Sequence, residues 1–353
     1  MRRALNRLAF LLLALVATLG PECGEAERSA VGQDGAEGRQ VATTGFVYDE
    51  VFLQHETGPA HPESPRRLEA IVNRLEEKGL LARLAEFARR PAAQEWILTV
   101  HSKQYVAHVE KSCRQGAAYL DSPDTPISAR SYEAAVEAVA GVLSAVDAVV
   151  DGTVENAFCA VRPPGHHAQR DRAMGFCIFN NVAIAARYVQ KRHNLPRVLI
   201  VDWDVHHGNG TQRAFYDDPT VLYFGVHQYP FYPGTGAESE QGAAEGKGYT
   251  INVPLPAGSG DAEFTRALQE KLKPAALAFK PDFVLISAGF DAHEADPLGG
   301  MRVTSEGFAE LTRIVKGIAE KCCQGRLVSV LEGGYDLKAL ADSVEAHIRV
   351  LMQ

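Results

Sequence analysis

In the stretch Val198-Leu199-Ile200-Val201-Asp202-Trp203-Asp204-Val205-His206-His207-Gly208-Asn209-Gly210, four apolar residues come first, and Val198, Ile200 and Val201 are β-branched. Such a run reads as a short strand buried on both faces. Strands of this kind belong to parallel α/β sheets, whose ligands bind beyond the carboxyl ends of the strands. This run leads straight into Asp202, Asp204 and His206. Side chains two apart on an extended chain share a face, so two carboxylates and an imidazole point one way. Crowded acids at a strand end repel one another and resist desolvation unless a cation joins them. An ordinary acidic strand end with helix-capping residues accounts for one Asp; Asp-x-Asp-x-His-His behind a buried strand points to a metal. Gly208 and Gly210 then let the backbone turn away sharply.

The same sequence of apolar run and polar tail recurs outward from there. Asn156–Val161 is followed by Arg162-Pro163-Pro164-Gly165-His166-His167-Ala168, and Phe283–Ala288 by Gly289-Phe290-Asp291-Ala292-His293-Glu294-Ala295-Asp296. Leu327–Leu331 is followed by Glu332-Gly333-Gly334-Tyr335-Asp336, and Val221–Val226 reads as a further strand. Helical segments at 181–191, 262–279 and 305–321 separate these runs, and the Ala- and Val-rich segment 132–150 reads as a buried helix. Alternating strands and helices predict an α/β fold with a central parallel, doubly wound sheet.

Taken singly, each tail has an ordinary explanation: a surface His pair in a proline-stiffened loop, or a turn with a packed Tyr. Four of them at strand ends converge on one rim. Together they give Asp204, His206 and Asp291 as zinc ligands with a fourth position open for water. One His with two carboxylates is uncommon for zinc, and by ligand softness iron(II), cobalt or manganese stays open. His166 and His167 supply a general base and acid, and Tyr335 an O–H for an oxyanion. His293 and Asp296 read as residues that hold the shape of their loop. This equipment suits metal-assisted hydrolysis of an amide.

The rest of the 353-residue chain frames that site. Arg2, Arg3 and Arg7 precede an apolar run from Leu8 to Leu19, the pattern of a secretory signal peptide or membrane anchor over residues 1–20. Cleavage there would take the net charge from −8 to −11 and make the protein exported, periplasmic or secreted; without it the protein is cytoplasmic. Residues 21–43, rich in Gly, Glu, Ala and Gln, read as a disordered linker, and residues 44–353 as one domain. A first strand is expected at Gly45–Tyr48, then a helix capped by Ser64 with Pro65 at its first position and a stripe of Leu68, Ile71, Val72, Leu75 and Leu80. Trp96–Val100 reads as a short strand, Ser102 as a helix cap, and Asp121–Ser128 as a loop with two prolines. The acidic balance argues against direct nucleic acid binding, and no other segment approaches the roughly 20 apolar residues that span a bilayer. The six cysteines show no CxxC pair, so buried free thiols are expected rather than disulfides or a cysteine zinc site.

Arg-Pro-Pro-Gly-His-His, Asp-x-Asp-x-His-His-Gly-x-Gly, Ser-Ala-Gly-Phe-Asp and Glu-Gly-Gly-Tyr, in this order, resemble the motifs of the zinc-dependent histone deacetylase and acetylpolyamine amidohydrolase superfamily, over roughly residues 44–351. The resemblance implies an arginase-like three-layer fold and hydrolytic release of acetate from an acetylated lysine or small amine. It implies zinc on Asp204, His206 and Asp291, His167 as general base and then acid, and His166 as its electrostatic neighbour. Tyr335 matches the residue that stabilises the transition state. Asp202 matches the acid behind His166 and a ligand of a structural potassium ion, while Gly225 replaces the Ser usual at that ion. Gly175, Phe176, Tyr232, Leu298 and Gly334 resemble parts of a substrate tunnel that fits an acyl-lysine stem.

Three departures shape the expectation. Asn209 stands behind His167 where class I members carry an Asp, a class II-like trait that leaves His167 less basic. Tyr335 is present where weakly active class IIa enzymes carry His. Leu298 stands where a polyamine-selective enzyme carries a Glu, which removes a charge partner for a cationic substrate. If the chain is exported, histones are not its substrate, and acetylated small amines, peptides or cell-surface acetamides take their place. Two other readings compete: a binding module that recognises acetylated ligands without hydrolysis, and a two-manganese ureohydrolase. Intact His166, His167 and Tyr335 oppose the first; Gly208 and Ala292-His293, which supply no second-metal acids, oppose the other. The sequence leaves the oligomeric state open.

Overall fold

The computed structural model describes residues 44–353 apart from 89, 90, 92 and 93; the signal-like segment, the linker and Cys23 lie outside the described residues. Nine strands are described: β1 Thr44–Val47, β2 Tyr119–Leu120, β3 Ser122–Pro126, β4 Asn156–Cys159, β5 Val198–Asp202, β6 Val221–Gln228, β7 Thr250–Leu255, β8 Phe283–Ala288 and β9 Leu327–Leu331. Seven form a sheet in the order β1-β4-β9-β8-β5-β6-β7, and every neighbouring pair is parallel. β4, β5, β6, β8 and β9 are buried along their whole length, as their unbroken apolar runs demand.

Strand order places the chemistry. β4 and β5 follow one another in sequence, yet β9 and β8 lie between them in the sheet. The chain therefore reverses its winding direction here, and a crevice opens beyond the strand ends at such a point. The four motif tails leave the adjacent strands β4, β9, β8 and β5 at one rim. Helices cover both faces, giving three layers. Ser131–Val150 and Asn181–His193 pack on each other and on the sheet; Ser305–Cys323 and Leu337–Leu351 pack on each other and on it, with Arg66–Glu77 against the last of these. His347 ties this second layer to the sheet through Thr312 Oγ1 at 2.7 Å and Ser329 Oγ at 2.9 Å. The cysteines within the described residues are free, all buried but the half-buried Cys322.

Several sequence expectations need correction. Trp96–Val100 is not a strand: Gln94–Ile97 is a helical turn and 98–100 a turn, with Ile97 and Val100, three residues apart, facing the core. The 121–128 loop instead contains β3, which pairs with β2 around Asp121 at φ 54. Pro65, not Ser64, is the cap of the Arg66–Glu77 helix, without a side-chain cap hydrogen bond; Ser102 does cap its helix, accepting from the Tyr105 N–H. The 262–279 helix is broken into Asp261–Ala267 and Lys273–Phe279 by a wider turn at Leu268–Leu272, just before Pro274, which has no N–H to give and crowds the preceding turn. β7 is not evident from the sequence because Pro254 interrupts its alternation; at the sheet edge that missing donor is tolerated.

Candidate active site

The strand-end geometry brings Asp204, His206 and Asp291 together. A ligand atom from each lies within 4.8 Å of the other two. Asp204 Oδ1 accepts the backbone N–H of His206 at 2.9 Å and lies 3.1 Å from His206 Nδ1; Asp291 Oδ2 lies 3.2 Å from the same nitrogen. The remaining oxygens are anchored by backbone: Asp204 Oδ2 by the Gly333 N–H and Asp291 Oδ1 by the Val205 N–H, both at 2.8 Å. Asp291 Oδ2, though buried, has no hydrogen-bond partner. Glycine is required around these acids. A Cβ on Gly289 would come within 2.1 Å of Asp204 Oδ2, and one on Gly333 within 2.0 Å of Asp291 Oδ2.

The electrostatics ask for a cation. Burial and the charge of Asp204 push Asp291 up to about 7. Burial also opposes the charge on Asp204, but His166 and His206 outweigh it and hold that carboxyl low. Two buried carboxylates with an orphaned oxygen between them, plus an imidazole, fit a divalent metal. His206 is the partly open member, 12% exposed against 1% or less for the two acids, so access is from its side.

His166 and His167 stand next to this group, their rings 4.0 Å apart. His166 Nδ1 meets Asp202 Oδ2 at 3.1 Å, and Nε2 lies 3.8 Å from Asp204 Oδ1. Burial works against charge on His166, but Asp204 and Asp202 prevail and raise its pKa to about 10. His167 Nδ1 meets Asn209 Oδ1 at 2.7 Å, which places the proton on Nδ1 and leaves Nε2 as a lone pair. Burial, with the charges of His166 and His206, pushes His167 well below its ordinary pKa. Asp202 thus orients His166 through Nδ1, and Asn209 orients His167 so that its Nε2 is free to take a proton. Asp202 Oδ1 also accepts the Asp204 N–H at 3.2 Å. The Tyr223 hydroxyl lies 3.5 Å from Asp202 Oδ2 and fills the space above Gly225, where a Cβ would come within 2.8 Å of it.

Tyr335 is held by its backbone. Asp296 Oδ2 accepts the N–H groups of Tyr335 at 2.6 Å and Asp336 at 3.2 Å, so Asp296 shapes its loop as the sequence suggested. Arg67, fully buried, donates to the carbonyls of Gly334 at 2.6 Å and Glu332 at 2.5 Å, and its guanidinium lies 5.0 Å over the Tyr335 ring. Glu63 pairs with both Arg67 and Arg162. The Glu332 carboxylate accepts the N–H groups of Gly165 at 2.7 Å and His166 at 3.1 Å, fastening the His-His loop to the Tyr335 turn. Burial and the charge of Asp291 keep the Tyr335 phenol protonated far above its ordinary range.

Aromatic rings border the approach. Phe176 meets Tyr335 edge-on at 5.8 Å, and His61 meets Phe176 at 4.7 Å. Tyr232 stands edge-on to His167 at 5.2 Å and to His206 at 5.9 Å, while Phe231 stacks on His206 at 5.4 Å. Gly175, at φ 57, lies so close to His167 that a Cβ would come within 2.2 Å of the ring, and Phe176 follows at φ 69, a strained backbone for an aromatic residue. Asp124 joins the two borders, accepting from the Tyr232 hydroxyl at 3.1 Å and the Gly175 N–H at 3.3 Å. Leu298 is half-buried in the 289–300 loop, its N–H on Asp296 Oδ1. Arg67, Glu63, Glu332, Asp124 and Phe231 were not assigned roles from sequence. Arg67 was detectable: it stands on the buried stripe, four residues before Ile71 and eight before Leu75.

Comparison with known proteins agrees with this geometry. The family model described as histone deacetylase domain matches residues 61–351. A protein of Archaeoglobus fulgidus named "Probable deacetylase" is 42% identical over 84% of this chain and 82% of its own length. "Histone deacetylase 14, chloroplastic" of Arabidopsis thaliana is 39% identical over 89% of this chain and 78% of its own. "Histone deacetylase 9" of Homo sapiens is 40% identical over 88% of this chain but 34% of its own. The crystal structure of the HD domain of HDA15 superposes with a TM-score of 0.84 at 40% identity, covering 88% of each chain.

Proposed function

Since the chain belongs to the histone deacetylase family and is a deacetylase, an enzyme that hydrolyses amide bonds, we propose that it removes acetyl groups from lysine side chains or kindred amines with zinc on Asp204, His206 and Asp291. The observation that carries the reading is the adjoining His166–His167 pair, with His167 Nδ1 on Asn209 Oδ1, at the edge of a three-ligand group. Zinc in that group would polarise the acetyl carbonyl and make a water molecule more acidic.

The chain's own residues do the rest. His167 Nε2 takes a proton from the attacking water, and Asn209 steadies the opposite nitrogen. The C–N bond breaks, His167 delivers its proton to the departing amine, and acetate leaves with the new C–O bond. His166, held through Nδ1 by Asp202 and with Nε2 3.8 Å from Asp204, is the electrostatic neighbour of that base. Tyr335 donates its O–H to the oxyanion. The methylene stem of the substrate lies between Phe176 on one border and Tyr232 on the other, a spacing of apolar faces suited to an unbranched chain. A structural potassium ion at Asp202 belongs to the same proposal, with the Tyr223 hydroxyl in the room the missing side chain of Gly225 leaves.

Acetate release from acetyl-lysine peptide, acetylputrescine and acetylspermidine, each beside Tyr335→Phe, tests the reading. Acetyl-lysine turnover falling about 10²–10³-fold in the variant supports it. Faster turnover of acetylpolyamines would make it a small-amine amidohydrolase, and no turnover of any substrate would refute it.

A further inference from the structure

A second cluster of metal-type ligands lies directly behind the dyad. One ring nitrogen of His166, the Cys177 thiol and a carboxylate oxygen of Glu332 lie within 4.8 Å of one another, and all three residues are buried. We propose that this trio is a second metal site, for a thiophilic divalent cation such as cadmium or excess zinc, and that its occupation switches the enzyme off.

Two of the three donors have capacity to spare, and the third, His166, which meets Asp202 through Nδ1, gives up a ring proton to bind. A carboxylate offers about four lone-pair positions. Glu332 uses three, on the Gly165 N–H, the His166 N–H and the Ser287 hydroxyl. The Cys177 S–H makes one long contact, to the Gly175 carbonyl at 3.3 Å. Bonds of about 2.0–2.3 Å to zinc separate tetrahedral donors by roughly 3.3–3.8 Å, so the trio closes by about an ångström around zinc and by less around a larger cation. Nitrogen, sulfur and oxygen together favour a soft or borderline cation over magnesium or calcium. The two groups adjoin: His166 Nε2 lies 3.8 Å from Asp204 Oδ1.

Binding breaks the Cys177 S–H bond and any N–H bond at the coordinating His166 nitrogen, forms sulfur–metal and nitrogen–metal bonds in their place, and releases the protons to solvent. The consequence for turnover rests on the proposed roles of His166 and His167. A dication on His166 occupies the imidazole that otherwise stands beside the base, held by Asp202 at 3.1 Å. It also brings positive charge toward His167, whose ring is 4.0 Å away, and weakens it as a base.

The test titrates cadmium into protein carrying one equivalent of zinc, reading ultraviolet thiolate-to-metal absorption, bound metal per chain and acetate release. The Asp204, His206 and Asp291 group has no sulfur, so cadmium exchanged there gives no such absorption. The expected result is a further bound equivalent, the thiolate band and at least a tenfold loss of turnover, with all three abolished in Cys177→Ala. Cys177→Ser serves equally if the alanine variant does not fold. Absence of the band in the parent protein, or its persistence in either variant, overturns the proposal; so does inhibition that survives loss of the thiol. Band and stoichiometry need no substrate, so they decide the site even if the deacetylase reading fails.

Discussion

Gly333 carries more of the site than its missing side chain suggests. Its N–H holds Asp204 at 2.8 Å, and a Cβ there would press within 2.0 Å of the orphaned Asp291 oxygen. Gly333→Ala is therefore expected to keep the fold and lower metal affinity about 10–100-fold, read by competition with a chelator; unchanged affinity would mean that the two acids are not ligands. Asp204, His206 and Asp291 stand out in the sequence because acids and an imidazole crowd beyond the ends of two buried runs; β5 itself stops at Asp202, which meets His166 rather than joining that group. The sequence could not show that Asp291 leaves one oxygen unpartnered, since that depends on where the Val205 backbone runs. Asp124 was illegible for a related reason: its partners Tyr232 and Gly175 are 108 and 51 residues away.

At the scale of elements, the first helix of the described fold acts on the last strand. Arg67 reaches from the Arg66–Glu77 helix to the two carbonyls that flank Gly333, and so fixes the turn on which Tyr335 stands. Arg67→Met keeps volume but leaves those two carbonyls without their donor, while Glu63 keeps its pair with Arg162. Leaving a buried acceptor unsatisfied costs about 1–3 kcal/mol. Chemical denaturation should show that loss; kcat should fall with little change in KM, because Tyr335 moves while the aromatic borders stay. A variant as stable and as active as the parent would contradict this role. β4, β5, β8 and β9 were readable because buried parallel strands have unbroken apolar runs. The 94–100 segment and β7 were not, because four- to six-residue elements carry too few turns or alternations to outweigh one Trp or one Pro.

For the molecule as a whole, acid stability reflects histidines that fold neutral. Burial pushes His347, His55 and His227 down to about 3 and His101 and His207 to about 4, from an ordinary value near 6.5. Between those limits the unfolded chain binds more protons than the folded one, so stability falls as pH falls from about 6.5 toward 4, by about 1.4 kcal/mol per pH unit for each group. His347→Gln, which retains a hydrogen-bonding side chain between Thr312 and Ser329, should remove roughly 2 kcal/mol of the loss between pH 7 and pH 5; an unchanged pH dependence would show that His347 does not titrate on unfolding. The parallel sheet, its winding and the four motif tails were all legible in the sequence. The buried bracing by Arg67, Glu63 and Glu332 was mostly not, because it joins residues up to 267 positions apart. All of it converges on one claim, that a single metal on Asp204, His206 and Asp291 makes the dyad and Tyr335 into a deacetylase. Metal-free protein titrated with zinc, with acetate release from an acetyl-lysine peptide as the readout, tests that claim most directly. Activity should rise in proportion to zinc and peak at one equivalent per chain; full activity without metal, or none at any zinc loading, would contradict it.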